Sequence, residues 1–271
     1  MKKKNDVWNA LSEYKIKQLK VTQNGTYLDR TYDHILPKEL ERLNVVESYR
    51  TDFYEEYGEK MKFHKNFNHL NSSQAVAINF FYPLMKEGKF DVLLNALNIE
   101  NEKVIDHGFE KVINTKEGTR FDFYLKLDSG RQIFFELKYT EKSYGMAKAD
   151  FSHIKTYRNI YSKKIQTYIK RDYCTKEEMF KHYQLFRCAM SLNVEKGDQL
   201  VIIYPTWNNS AAKKASLFYD NMIVDSLKDH VKLIRWEDLI KNIESYLNAN
   251  KGDVLAQPIK AFKDKYLNVA Y

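Results

Sequence analysis

The feature that most constrains this chain is the stretch Arg120 to Thr140, RFDFYLKLDSGRQIFFELKYT, which reads as two β-strands joined by a tight turn. Phe121, Phe123, Leu125 and Leu127 alternate with Asp122, Tyr124 and Lys126, the period-two pattern of a half-buried strand. After Asp128-Ser129-Gly130 the alternation resumes, with Ile133, Phe135, Leu137 and Tyr139 on one face and Phe134, Glu136 and Lys138 on the other. A three-residue loop with Gly130 in the left-handed conformation sets Leu127 opposite Arg131 and Asp122 opposite Glu136. A two-residue loop would pair Asp122 with Leu137 and put a carboxylate among apolar side chains, so the first register is the consistent one. It brings two carboxylates to about 5 Å from each other, with the Lys138 ammonium beside them. Like charges facing each other need a cation between them, and that set suits a hard divalent metal.

Around the hairpin, the chain of 271 residues is long enough for one large domain or a domain with an appendage. Met1 to Lys4 is not followed by an apolar stretch, and no run approaches the roughly 18 apolar residues that span a membrane. Cys174 and Cys188 have no metal-ligand spacing and imply no disulfide framework, which points to a reducing, cytoplasmic setting. The net charge of +8, with 20 Tyr and 16 Phe, favours a polyanionic partner without demanding one.

Residues 1–70 read as a mostly helical region, with a helix opening near Pro37 and a hairpin or loop signal at Asn24-Gly25. His64 and His69 are five apart, too far round a helix to form a metal pair, and suit structural or phosphate-contact roles. Asn71, Ser72 and Ser73 offer N-caps for a core helix through Ala75, Ile78, Phe81 and Met85, with Gln74 and Asn79 as its exposed polar positions. Pro83 should kink or end that helix, and Gly88 should begin a second piece reaching Leu97. A strand over Val104 to Ile113 follows.

Beyond the hairpin, Lys142 to Arg171 holds eight basic residues against one acid, Asp150. Phe151, Ile154, Tyr157, Tyr161, Ile165 and Tyr168 recur every three or four, so a helical insertion over 146–171 should carry Lys155, Arg158, Lys163 and Lys164 on a cationic face. Thr175-Lys176-Glu177-Glu178 is a capping box for a helix through Met190, with Gln184, Arg187 and Ser191 as its polar stripe. A buried strand over Asp198 to Pro205, a helix from about Ser210, a strand Val231 to Arg235 and a helix Trp236 to Asn248 complete an α/β order. Residues 251–271, with Pro258 and mixed charge, read as a tail.

Asp122, thirteen intervening residues and then Glu136-Leu137-Lys138 resemble the active-site signature of the PD-(D/E)XK nuclease superfamily, with Phe121 in the place of its proline. HILP (His34 to Pro37) and HLNSSQAVAINFFYPL (His69 to Leu84) resemble a family of prokaryotic restriction endonucleases within it. The resemblance implies a restriction-endonuclease-like core over 71–250, a mixed β-sheet flanked by helices, behind an N-terminal helical region. It implies that Asp122, Glu136 and the Leu137 carbonyl hold Mg2+, replaceable by Mn2+, and that Lys138 assists the attacking water. An additional carboxylate would come from Glu110, or from Glu87 at the end of the core helix, and Gln184 and Arg187 would contact phosphate. The expected activity is hydrolysis of double-stranded DNA by a restriction or defence enzyme working as a homodimer, with a cognate methyltransferase as a candidate partner that the sequence does not decide. The alternatives are a catalytically decayed DNA-binding relative and a nuclease acting on RNA or in repair; intact Asp122, Glu136 and Lys138 weigh against decay.

Overall fold

The structure, a computed structural model, describes residues 4–112, 118–250 and 252–268. It forms two compact units, Met1–Asn101 with Trp236–Tyr271, and Glu102–Arg235. The expected boundaries at residues 70 and 250 therefore move to 101 and 235, because the last two helices bury their apolar faces within the first unit.

The first unit opens with α1 (Lys4–Lys17) and a small hairpin, β1 (Gly25–Tyr27) and β2 (Arg30–Tyr32). The turn is Leu28-Asp29, both at positive φ, rather than Asn24-Gly25. Gly25 instead serves a close approach: a Cβ there would stand 2.2 Å from the Leu36 carbonyl oxygen. A 3-10 turn (Lys38–Asn44), α2 (Glu47–Tyr57), α3 (Ser73–Lys86) and α4 (Phe90–Ala96) follow. Ser72 caps α3 through the Ala75 N–H, as its position suggests. Pro83 does not end α3, which runs on for a further turn before Glu87.

Gln74 and Asn79 are buried rather than exposed. Gln74 accepts from the His64 N–H (2.8 Å) and donates to the Lys62 carbonyl (3.2 Å). Asn79 accepts from the Val46 N–H (2.8 Å) and donates to the Asn44 carbonyl (2.8 Å) and the Tyr266 hydroxyl (2.7 Å). Both side chains tie irregular backbone to the core helix, so their polarity is satisfied rather than solvated. The HILP and HLN segments lie side by side through an Ile35↔His69 bridge, with Asn68 Nδ2 donating to the Leu36 carbonyl. His69 meets the Tyr27 ring edge-on and His34 stacks on Trp8, which makes these histidines packing residues.

The second unit holds a five-stranded mixed sheet in the order β3 (Val104–Val112), β4 (Arg120–Leu127), β5 (Gln132–Leu137), β6 (Gln199–Tyr204) and β7 (Val231–Arg235). Ile113, placed in β3 from sequence, lies outside the described residues. The first three strands pair antiparallel and the last three parallel. Between β5 and β6 the chain crosses over through α5 (Phe151–Thr156), a π-helical turn (Tyr157–Tyr161), α6 (Ser162–Tyr168), α7 (Lys176–Lys181) and α8 (Tyr183–Met190). Between β6 and β7 lies α9 (Asn209–Leu217). The crossover helices cover the sheet face carrying Tyr124, Phe134, Leu200, Ile202 and Tyr204, with Tyr161, Ile165, Met179, Phe186 and Ala189 in that core. Two local expectations change here. Phe151 is exposed rather than part of the apolar side, and the helix after the capping Thr175 breaks at His182, whose φ of −114° and ψ of 30° leave the helical region.

The chain then returns to the first unit with α10 (Trp236–Ala249) and α11 (Ala256–Tyr266). The second of these replaces the expected tail. Pro258 falls in its first turn, where a missing N–H costs nothing, and Ile259, Phe262 and Tyr266 are buried, Phe262 against Phe80 and Trp236. Among the described residues no helix is long and apolar enough to cross a membrane.

Candidate active site

The register of the central hairpin follows from its turn. The Gly130 N–H donates to the Leu127 carbonyl (2.9 Å), the Leu127 N–H donates to the Arg131 carbonyl (2.8 Å), and Gly130 has φ +87°. Lys126↔Gln132, Leu125↔Ile133, Tyr124↔Phe134 and Phe123↔Phe135 then pair in turn, which carries Asp122 to the position facing Glu136. There the ladder ends, and Asp122 Oδ2 accepts the Leu137 N–H (2.7 Å) in place of a main-chain partner. Strict alternation fails at the same point. Phe121 stacks on Phe134, with centroids 4.4 Å apart at 22°, so it joins the helix-covered face instead of following Phe123. Across from Asp122 on β3, Glu110 has φ +52°, a conformation that is costly for a residue with a side chain.

Glu136 and Lys138 come from the C-terminal end of β5, where parallel pairing with β6 leaves strand ends free to present side chains. The Lys138 N–H continues the sheet by donating to the Ile203 carbonyl (2.9 Å). Its ammonium donates to Glu136 Oε1 (2.6 Å), both side chains being buried. Glu136 Oε2 is buried and has no hydrogen-bond partner among the described residues. The loop beyond the strand is pinned by Asn208, which caps α9 and donates to the Tyr139 and Glu141 carbonyls (2.9 Å each).

The electrostatics follow from this crowding. Burial, and then the facing Glu136, lift the Asp122 carboxyl well above its ordinary range, against the pull of Lys138 and the Leu137 N–H. Burial also raises Glu136, and Lys138 reverses this only in part. For Lys138, burial disfavours the charge, yet Glu136, Asp122 and Glu141 outweigh it and the net shift is upward. One ammonium thus does not offset the cost of ionising both carboxylates in this buried site. An orphaned buried carboxylate oxygen, a second carboxylate facing it and nearby main chain make a donor set that fits a hard divalent cation. Among the described residues no three His, Cys, Asp or Glu side chains form a ready ligand cluster.

Glu110 belongs to this neighbourhood, adding charge to both Asp122 and Glu136 and lying 3.7 Å from Arg120. Glu87 belongs to the first unit and accepts from the Tyr49 hydroxyl (2.8 Å). Gln184 and Arg187 line a cavity of about 270 Å³ with Gly118, Thr119, Gly145 and Cys188. Cys188, on the cavity wall, lies within electrostatic range of Glu136, Arg187, Lys138 and Asp122. Arg187 is steadied there by Thr119 Oγ1 (3.2 Å) and the Tyr183 ring (4.8 Å).

Of the four cations expected on the helical insertion, Lys155, Arg158 and Lys163 are exposed and carry no ion pair among the described residues. Lys164 differs, being partly buried with Nζ donating to the Met190 carbonyl (3.2 Å).

Sequence reasoning overlooks Glu141, Tyr144, Thr119 and Asn208, which lie where strand periodicity has stopped. The one available signal is for Glu141, an acid directly before a long acid-poor stretch. Its Oε2 accepts the Tyr139 N–H (2.8 Å), and it adds to the field at Glu136 and Lys138.

A mixed sheet flanked by helices, with paired carboxylates and a lysine on its central hairpin, defines the class as a restriction-endonuclease-like α/β protein. The chain belongs to the family described as Restriction Endonuclease associating with ARP, whose model matches residues 6–267. No curated protein and no solved structure matches it.

Proposed function

We propose that this protein is a Mg2+-dependent endonuclease of the PD-(D/E)XK type, with Mn2+ as a substitute, that hydrolyses phosphodiester bonds in double-stranded DNA in a restriction or defence role. The observation that carries this reading is the buried Asp122–Glu136 pair beside Lys138, with Glu136 Oε2 left without a partner. Membership of a restriction endonuclease family supports DNA as the substrate.

Asp122, Glu136 and the Leu137 carbonyl would hold the ion, and the bound cation would polarise the scissile phosphate and lower the pKa of a water. Lys138, fixed on Glu136 Oε1, presents a buried positive charge to the negative charge that develops on the phosphate. Water adds to phosphorus as the phosphorus–oxygen bond to the leaving sugar breaks. Arg187, held by Thr119 and Tyr183, offers guanidinium donors to a flanking phosphate, with Gln184 beside it. The exposed Lys155, Arg158 and Lys163 give a cationic track for the backbone. One such site cuts one strand, so duplex cleavage calls for two copies of the chain acting together. The family description names an association with ARP, and we extend that association to this chain.

Incubating the purified protein with supercoiled plasmid, in Mg2+ and in EDTA, tests the reading. Nicked or linear product in Mg2+ alone is expected; intact plasmid across a panel of DNAs, methylated and unmethylated, contradicts it.

A further inference from the structure

Beside the carboxylate site lies another buried polar atom without a partner among the described residues, the hydroxyl of Tyr144. Tyr144 is 2% exposed, in the loop after β5, and its ring centroid lies 5.3 Å from Lys138 Nζ. After burial itself, the charge of Glu136 is the strongest influence on this phenol. The ring thus has an evident use, since an aromatic face beside a desolvated ammonium stabilises it. The hydroxyl has none among the described residues, and a buried hydroxyl that donates to nothing is destabilising.

The two orphans are complementary. A phenol O–H donates, Glu136 Oε2 accepts, and they make no direct hydrogen bond. One water between them would accept from Tyr144 and donate to one lone pair of Glu136 Oε2, leaving the other for the cation. Glu136 Oε1 is already held by Lys138, so that water would lie beside the ammonium as well. We propose that Tyr144 is a positioning residue of the hydrolytic site: its ring holds Lys138, and its hydroxyl, with Glu136 Oε2, holds one water against the catalytic carboxylate. The seat itself rests only on the two orphaned atoms, whereas its use in hydrolysis rests on the nuclease reading above.

Tyr144→Phe separates the two parts, because it keeps the ring and removes only the hydroxyl. A high-resolution crystal structure of the metal-free full chain should contain an ordered water bonded to both Tyr144 and Glu136, and the Tyr144→Phe structure should lack it. In the cleavage assay the variant's kcat should fall about tenfold or more with KM little changed, a loss of one positioned hydrogen bond in the transition state. The proposal is overturned if the wild-type density has no water joining the two groups, or if Tyr144→Phe cleaves at the wild-type rate. If the wild type cleaves no DNA, the nuclease reading fails while the crystallographic comparison still decides whether the seat exists.

Discussion

Asp122 and Glu136 oppose two carboxylates in a largely dehydrated site, and this sets what substitution there does. Asp122 is raised well above its ordinary range by burial and then by Glu136, so its ionised form is the disfavoured one in the folded protein. The stability it contributes is complete below its unfolded pKa, about 3.9, and is lost as pH rises through the higher folded value. Asp122→Asn removes the ionisation while keeping an oxygen for the Leu137 N–H. In EDTA the variant should therefore melt above the wild type at pH 8 and near it at pH 4, by roughly 2–4 °C for each kcal/mol relieved. Equal melting at both pH values would contradict the raised pKa. Lys265 shows the opposite sign. It is fully buried, donates to the Asn44 carbonyl (2.5 Å) and Oδ1 (2.8 Å), and has its pKa lowered well below the usual value by burial and then by Arg50. Among the described residues no carboxylate is bonded to it; the rings of Tyr14 and Tyr266 flank it. Folding then disfavours its charge, so stability should rise with pH by at most about 1.4 kcal/mol per unit between the folded pKa and about 10.4. Lys265→Met should flatten that slope in urea titrations between pH 6 and 9; an unchanged slope would place the titrating group elsewhere.

Among the elements, the helical run from Phe151 to Tyr168 makes a separable prediction. Lys155, Arg158 and Lys163 are exposed, whereas Lys164 is engaged with the Met190 carbonyl at the end of α8. If the three exposed cations neutralise phosphates, changing them together to Gln should lower the log–log salt slope of duplex binding by about 0.9 for each phosphate no longer neutralised. Lys164→Gln should act mainly on stability. A triple variant with the wild-type salt slope would make this face a solvated one. The run's apolar positions are legible because Ile154, Tyr157, Tyr161, Ile165 and Tyr168 repeat at helical spacing and do pack inward. Phe151 breaks the rule because it lies in the first turn, where the helix has only begun to meet the core. The hairpin is legible for a stronger reason: the turn residues and the alternation both fix one register, and the wrong register would bury Asp122 among apolar side chains. Glu141 and Tyr144 are not legible, because they lie in a loop whose path depends on Asn208, a residue of the following β6–α9 connection.

For the molecule as a whole, the two units divide the sequence signals differently from their order along the chain. The HILP and HLNSSQ segments, which carry the family likeness, build the first unit through Gly25, Asn44, Asn68 and Asn79, while the carboxylates belong wholly to the second. Residues 251–271 look like a tail because mixed charge and Pro258 obscure a four-residue apolar spacing, Pro258, Phe262 and Tyr266, whose partners are as distant in sequence as Phe80. Deleting residues from 252 onward should accordingly unfold the first unit, seen as a fall in helical circular dichroism, rather than leave it intact as removal of a tail would. The central claim, that one buried carboxylate pair and its lysine form the hydrolytic centre, is tested most directly by cleavage under saturating DNA. Wild type, Asp122→Asn, Glu136→Gln and Lys138→Met should be compared in Mg2+ on a duplex that all four bind. The account predicts that each substitution lowers cleavage at least a hundredfold, about 2.7 kcal/mol in barrier, while leaving DNA affinity within a few fold. Cleavage at the wild-type rate by either carboxylate variant would contradict it.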